Sequence, residues 1–157
     1  MAIAMTLKEF LEQEGVEYEV LNHPYSYCAS KAAEAAHIPG DQVAKCVLLE
    51  DEGGYVMAVI PATHRVQIGR LHKQLHRNLG LATEHELDLL FDDCEIGAIP
   101  PLGQAYGIEV VVDDSLSENS DIYFEAGDHT SLVHMTSKDF KDLMKTAQHG
   151  TFSRHVR

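Results

Sequence analysis

The chain has 157 residues, 45% of them apolar and 24% charged, and carries a formal net charge of −13. That length suits one domain with a full core and no second domain, and the acidity speaks against a protein that coats nucleic acid nonspecifically, because such binding draws on many Lys and Arg contacts to phosphate. No run of about 18 apolar residues is available to cross a bilayer, and Met1 to Glu9 lack the basic-then-apolar order of a signal peptide, so a cytoplasmic protein without a membrane partner is expected.

In chain order, Thr6 to Glu9 form a capping box, with Leu7, Phe10 and Leu11 as the inner stripe and Gly15 as the stop, which predicts a helix over 7–14. Val16, Tyr18 and Val20 alternate with Glu17 and Glu19 as a half-buried strand that His23-Pro24 ends. Ser30 is positioned to cap a short alanine-rich helix over 31–37, broken by Pro39-Gly40. Val43 to Glu50 then read as a buried strand, and Asp51 to Gly54 as a tight turn into a second one, Tyr55 to Ile60, giving a central antiparallel hairpin.

The first of these strands carries a cation among aliphatics. Side chains alternate faces along a strand, so Lys45 shares its face with Val43, Val47 and Leu49, while Cys46 points the other way with Ala44 and Leu48. A buried ammonium without a partner is costly. Lys45 therefore either lays its stem on the sheet and reaches solvent, or floors a pocket for an anionic ligand.

Ile68, Leu71, Leu75 and Leu79 lie at helical spacing up to Gly80, with Arg70, Lys73 and Arg77 on nearly the opposite side. Between Gly53 and Thr83 there is no Asp or Glu, yet Arg65 and His64, His72 and His76 fall there too. Such an acid-free stretch can receive a polyanion, although an ordinary solvated helix face has the same look. Thr83 to Glu86 form a second capping box, opening a helix through Phe91. Glu95 to Gly103 hold two prolines and two glycines, which excludes helix or central strand and predicts a stiff loop, one able to present a backbone N–H to a carbonyl or oxyanion. Ile108 to Val112 read as a buried strand and Asp113 to Ser120 as a polar loop. A second hairpin, Ile122 to Ala126 and Ser131 to Met135, turns at Gly127-Asp128-His129-Thr130. Thr136 or Ser137 caps a last helix with Phe140, Leu143 and Met144 inward, and residues 150–157 are expected to be a frayed tail after a domain of residues 1–149.

Three features stand together: Lys45 after Gln42-Val43-Ala44, a GxxxP pattern from Gly97 to Pro101, and a GxH pattern from Gly127 to His129. In order, spacing and strand context they resemble the aminoacyl-tRNA deacylases related to the editing domain of bacterial prolyl-tRNA synthetase, the YbaK-like family, over nearly the whole chain. The resemblance implies a single α/β (α+β) domain with a curved, mixed, largely antiparallel sheet flanked by helices. It implies a hydrolase that cleaves the ester of mischarged tRNA, in particular tRNA for proline carrying a small wrong amino acid such as alanine, with no metal or other cofactor. The partners implied are the 3′-terminal adenosine and acceptor stem of aminoacyl-tRNA, together with an aminoacyl-tRNA synthetase. Lys45 would bind the phosphate or ribose of that adenosine, backbone groups near Gly97 and Ala98 the ester carbonyl, and Gly127 with His129 would line the opposite wall, placing the acyl group or a water. Cys46, Ile99, Pro100, Pro101 and Asp128 would contact substrate, and Arg70, Lys73 and Arg77 would hold the acceptor stem. The nucleophile would be water, aided by the substrate's own hydroxyl or amine, or in one subgroup a thiol on the substrate.

This chain has Cys46 where many members have asparagine, which bears on which amino acid is removed. A Cys46–His129 nucleophile and base pair is the catalytic alternative, against which opposed strand faces count. His72 and His76 are four apart, but Lys73 stands where a zinc helix would have glutamate, and Cys28, Cys46 and Cys94 form no CxxC pair. Asp92-Asp93 and Asp113-Asp114 read as caps and turn formers rather than paired catalytic acids. A binding module for a nucleotide or aminoacyl-adenylate, associated with a synthetase but without turnover, is the competing class.

Overall fold

The hairpin expected from the Asp51 to Gly54 turn lies at the centre of the molecule: β2 (Val43–Asp51) pairs antiparallel with β3 (Gly54–Pro61) along its full length. The structure is a computed structural model that describes residues 3–156. Ahead of the hairpin come α1 (Met5–Glu14), β1 (Glu19–Asn22) and α2 (Ala29–Ala35). After it come β4 (His64–Val66), α3 (Ile68–Leu75), β5 (Gly80–Leu81), α4 (Glu84–Leu90), β6 (Glu109–Asp113), β7 (Asp121–Glu125), β8 (Ser131–Thr136), α5 (Ser137–Leu143), β9 (Gln148–Gly150) and β10 (Ser153–His155).

The main sheet runs β1-β8-β7-β2-β3-β6-β9, with β5 also paired to β2, and β4 with β10 forms a separate ribbon. Pairings β1–β8, β7–β8, β2–β3 and β2–β5 are antiparallel, whereas β2–β7, β3–β6 and β6–β9 are parallel. Strand alternation sorts the core as the pleat requires. Ala44, Leu48, Met57 and Val59 join Leu7, Leu11, Phe91, Phe124 and Phe140 on one face, with the partly buried Cys46 packed against them. Leu49, Val56, Ala58 and Ile60 pack with Leu71, Leu79 and Phe152 on the other.

One pairing detail makes room for a site. Opposite β3, strand β2 meets β7 only at Val43 and Ala44 and meets β5 only at Leu49 and Glu50. Lys45 to Leu48 therefore have no strand neighbour on that edge, and side chains of both faces reach the same opening.

Several expectations shift. Helix α1 begins at Met5, and Thr6 makes no cap; instead its N–H donates to the Asp93 carboxylate at 2.9 Å. The strand expected over Val16 to Val20 sits at Glu19–Asn22, where β8 supplies its partner. Helix α2 runs over Ala29–Ala35, with Cys28 rather than Ser30 at its N-terminal boundary. Helix α3 stops at Leu75, because His76 turns left-handed (φ 55°) and His72 Nε2 bonds the returning Leu79 carbonyl at 2.9 Å. The loop after β6 contains a 3-10 turn at Asp114–Glu118 that Asp113 caps. Residues 150–156 are not frayed: β10 pairs with β4, Phe152 is fully buried, and its N–H donates to Asp113 at 2.9 Å. Arg157 lies outside the described residues. The second capping box and the second hairpin behave as expected, at α4, whose Thr83 and Glu86 satisfy each other's backbone, and at β7–β8.

Candidate active site

At the unpaired stretch of β2 a cavity of about 350 Å³ opens, lined by Lys45 and Cys46 from β2, Leu87 from α4, Phe91 beyond it, Gly97 and Ile99 from the proline loop, and Glu125 from the end of β7. Lys45, Val47 and Leu81 are shared with a second cavity of about 660 Å³, which also takes in His64, Arg65 and Val156. Lys45 thus stands between an apolar chamber and a more basic one.

The Lys45 ammonium is half-buried and donates to the Ala62 carbonyl at 3.2 Å. Among the described residues no carboxylate pairs with it. Burial lowers its pKa, Cys28 opposes this, and Arg65 adds to it. A cation held under such strain gains from a bound anion, which replaces lost water with a charge partner.

The proline loop is shaped for one exposed peptide. Gly97 has φ +90°, and a Cβ there would lie 2.7 Å from the Tyr27 carbonyl oxygen, so only glycine fits. The Ala98 N–H is already used, donating to Glu95 at 3.1 Å, whereas the Gly97 N–H has no partner among the described hydrogen bonds. Ala98, Pro100 and Pro101 are buried and serve as the loop's anchors. His129 donates from Nε2 to the Ile96 carbonyl at 2.7 Å. In a trans peptide the C=O and N–H point opposite ways, so this bond holds the Ile96–Gly97 unit with its N–H turned away from the histidine.

The structure brings Lys45, Cys46, Gly97 and Ile99 to one cavity. It does not bring Gly127 or His129 to its wall. Gly127 (φ 108°) packs against Ala4 and Cys94 and accepts from the Glu95 N–H at 2.8 Å, while His129, buried at 4% exposure, braces the loop from behind. Asp128 closes the hairpin, accepting from the Thr130 N–H and the Ser131 hydroxyl at 3.1 Å each. Arg70 and Lys73 are exposed on α3, but Arg77 lies beyond the helix end and is taken up by Asp51 at 2.7 Å and Glu109 at 3.6 Å.

The Cys46 thiol donates to the Ile99 carbonyl at 3.6 Å, and burial, with smaller contributions from Cys94 and Glu125, pushes it up to about 12. A thiol so firmly protonated is a wall of the chamber and not a nucleophile, and the His129 Nε2 that would have served it is engaged elsewhere.

Sequence reasoning missed Glu125. Its carboxyl is 2% exposed, and neither oxygen has a hydrogen-bond partner among the described residues. The available signal was a carboxylate in an otherwise apolar strand, four residues ahead of His129, but unlike Lys45 it alternates with the apolar side chains and so reads as solvent-facing.

An apolar chamber walled by a strained glycine loop, with a desolvated lysine beside it, defines a pocket for an apolar group attached to an anion. Residues 23–143 match the aminoacyl-tRNA editing domain family, and the chain belongs to that family. No curated protein matches the chain. Among solved structures it is similar to a candidate trans-editing enzyme for prolyl tRNA synthetase, at 23% identity and a TM-score of 0.84 over 96% of each chain. A hypothetical protein aligns at 20% identity and a TM-score of 0.84, over 95% of this chain and 99% of that one. A signal transduction candidate from Marinobacter aquaeolei VT8 aligns at 20% identity and a TM-score of 0.78, over 97% of this chain and 31% of that one. These likenesses establish the mixed α/β fold, and no helix among the described residues is long and apolar enough to cross a membrane.

Proposed function

We propose that the protein is a trans-acting aminoacyl-tRNA deacylase, hydrolysing the ester between a wrong amino acid and the 3′-terminal adenosine of a tRNA. The observation that carries this reading is Lys45, a half-buried ammonium lining an apolar cavity together with Gly97, the ammonium having no ion-pair partner and the Gly97 N–H no acceptor among the described residues. In this reading the ammonium takes the phosphate or ribose of the adenosine, the amino acid side chain enters the chamber, and the ester carbonyl meets the Gly97 N–H. Water adds to the carbonyl carbon, the ester C–O bond breaks, and the amino acid and the tRNA hydroxyl depart. One preorganised donor to the developing oxyanion is typically worth about 3 to 4 kcal/mol. Cys46 and Ile99 shape the acyl chamber, Pro100 and Pro101 stiffen its loop, and Asp128 and Gly127 set the hairpin that carries His129.

Arg70 and Lys73 would receive the acceptor stem; Arg77 is left out of this role because Asp51 and Glu109 neutralise it. The substrate proposed is tRNA for proline carrying a small amino acid such as alanine, and the neighbour described as a trans-editing candidate for prolyl tRNA synthetase supports both that tRNA and a synthetase partner. A second reading of the amino acid follows from the chamber itself: about 350 Å³ walled by Leu87, Phe91 and Ile99 exceeds what a methyl side chain requires and favours a bulkier apolar one.

Incubation with a panel of mischarged tRNAs tests the proposal. Alanyl-tRNA for proline is expected to lose its amino acid while the correctly charged prolyl-tRNA persists. If no ester in the panel is cleaved, the pocket belongs to a binding module.

A further inference from the structure

Glu125 ends β7 opposite Leu132, and its buried carboxyl lies 3.8 Å from His129 Nδ1, which is likewise buried without a hydrogen-bond partner among the described residues. Two unpaired polar groups facing each other in an apolar interior are a liability unless a hydrogen bond joins them. Because a carbonyl only accepts, the 2.7 Å contact to Ile96 assigns the hydrogen of the ring to Nε2. A second ring hydrogen, at Nδ1, would make an ion pair of two groups buried away from water, which burial disfavours; without it Nδ1 presents a lone pair. An ionised carboxylate opposite that lone pair would set acceptor against acceptor, whereas a carboxylic acid supplies the missing donor.

The surroundings favour the acid form. Burial, with Asp128 adding to it, pushes Glu125 up to about 8. The titratable groups facing it are His129 and Asp128 from its own hairpin and the Cys46 thiol from β2, and Lys45 and Glu84 line the same cavity.

We propose that Glu125 is a positioning residue: as a neutral acid it donates to His129 Nδ1, fixing the ring as the Nε2–H form that grips the Ile96 carbonyl and so aims the Gly97 N–H at the substrate. Nε2 already holds the Ile96 peptide at 2.7 Å, and the carboxyl, 3.8 Å from Nδ1, needs a side-chain adjustment of about 1 Å to close the hydrogen bond. The catalytic part rests on the deacylase reading above, since it is the ester carbonyl that the Gly97 N–H would meet. The Glu125–His129 bond itself does not.

Two measurements on the full chain separate these. Long-range proton–nitrogen NMR of the His129 ring, followed from about pH 6 to about pH 10, is expected to show the neutral Nε2–H form at pH 7 and a change as Glu125 ionises near pH 8. Glu125→Gln, whose amide donates at every pH, should keep that form without the transition. An imidazolium or an Nδ1–H ring at pH 7, or the same transition in the Gln variant, overturns the proposal. On whichever mischarged tRNA the wild type cleaves, Glu125→Ala should lower kcat about tenfold or more with KM little changed. Wild-type kcat should fall above about pH 8 as Glu125 ionises, and Glu125→Gln should restore most of kcat and abolish that fall. Wild-type kcat in the Ala variant, or an unaltered alkaline fall in the Gln variant, overturns the proposal. A wild type that cleaves no ester would sink the deacylase reading and leave the NMR result to decide the hydrogen bond.

Discussion

Gly97 concentrates the site's backbone geometry in one residue. A side chain there meets the Tyr27 carbonyl and the His129 ring, and the left-handed φ of +90° is strained for any L-residue. Gly97→Ala is therefore expected to cost about 1 to 3 kcal/mol of stability and, by displacing the N–H, about two orders of magnitude in deacylation rate. Urea titration and single-turnover assays check both, and a rate equal to that of the parent would exclude this N–H from the reaction. At the same scale, Lys45 was legible in the sequence because Val43, Val47 and Leu49 share its strand face, so the cation stood out. Glu125 was not, because it alternates with Ile122, Phe124 and Ala126 and shares its face with Tyr123, a pattern that reads as solvent-facing. Beside it stands His129, itself held by the proline loop, a placement that strand period does not encode.

Elements whose partners lie close in sequence were read with little error: the β2–β3 and β7–β8 hairpins and the capped helix α4 need only local turn and cap chemistry. Those settled by distant partners moved. The first turn of α1 meets Asp93, β1 is defined by β8, and the last residues are held by Asp113 and β4. The β1–β8–β7 edge carries a titratable clamp, His134, held by Glu19 at 2.7 Å and Asp121 at 2.9 Å and stacked on Tyr123. Burial opposes its charge, but the hydrogen bonds of Asp121 and Glu19 outweigh this and raise its pKa. The folded state thus favours charged His134. Its contribution is fully present below the ordinary value of about 6.5 and is lost as pH rises through the raised folded one. His134→Ala should consequently destabilise by about 1 kcal/mol more at pH 6 than at pH 9, allowing for the exposure of Glu19. Equal losses at both pH values, measured by thermal unfolding, would show the clamp to be packing alone.

Across the whole molecule, a charge of −13 is compatible with a nucleic acid substrate only if the contact is local. The exposed Arg65, which lines a cavity with Lys45, and the exposed Arg70 and Lys73 on α3 are the cations available for such a contact. Charge reversal at Arg70 and Lys73 is expected to raise KM and to flatten its salt dependence by roughly one unit of slope per lost phosphate contact. Reversal at Arg77 would instead break the Asp51 pair that ties the β2–β3 turn. In the proposed deacylation, fold and surface cations would only deliver the ester, and the contact on which hydrolysis depends is Lys45. Its most direct test is the single-turnover hydrolysis rate of mischarged tRNA by Lys45→Ala, measured beside its unfolding curve. Loss of about two orders of magnitude or more in rate, with the unfolding midpoint kept or raised because a desolvated charge is gone, is the predicted result. Hydrolysis at the wild-type rate by a folded Lys45→Ala would contradict it.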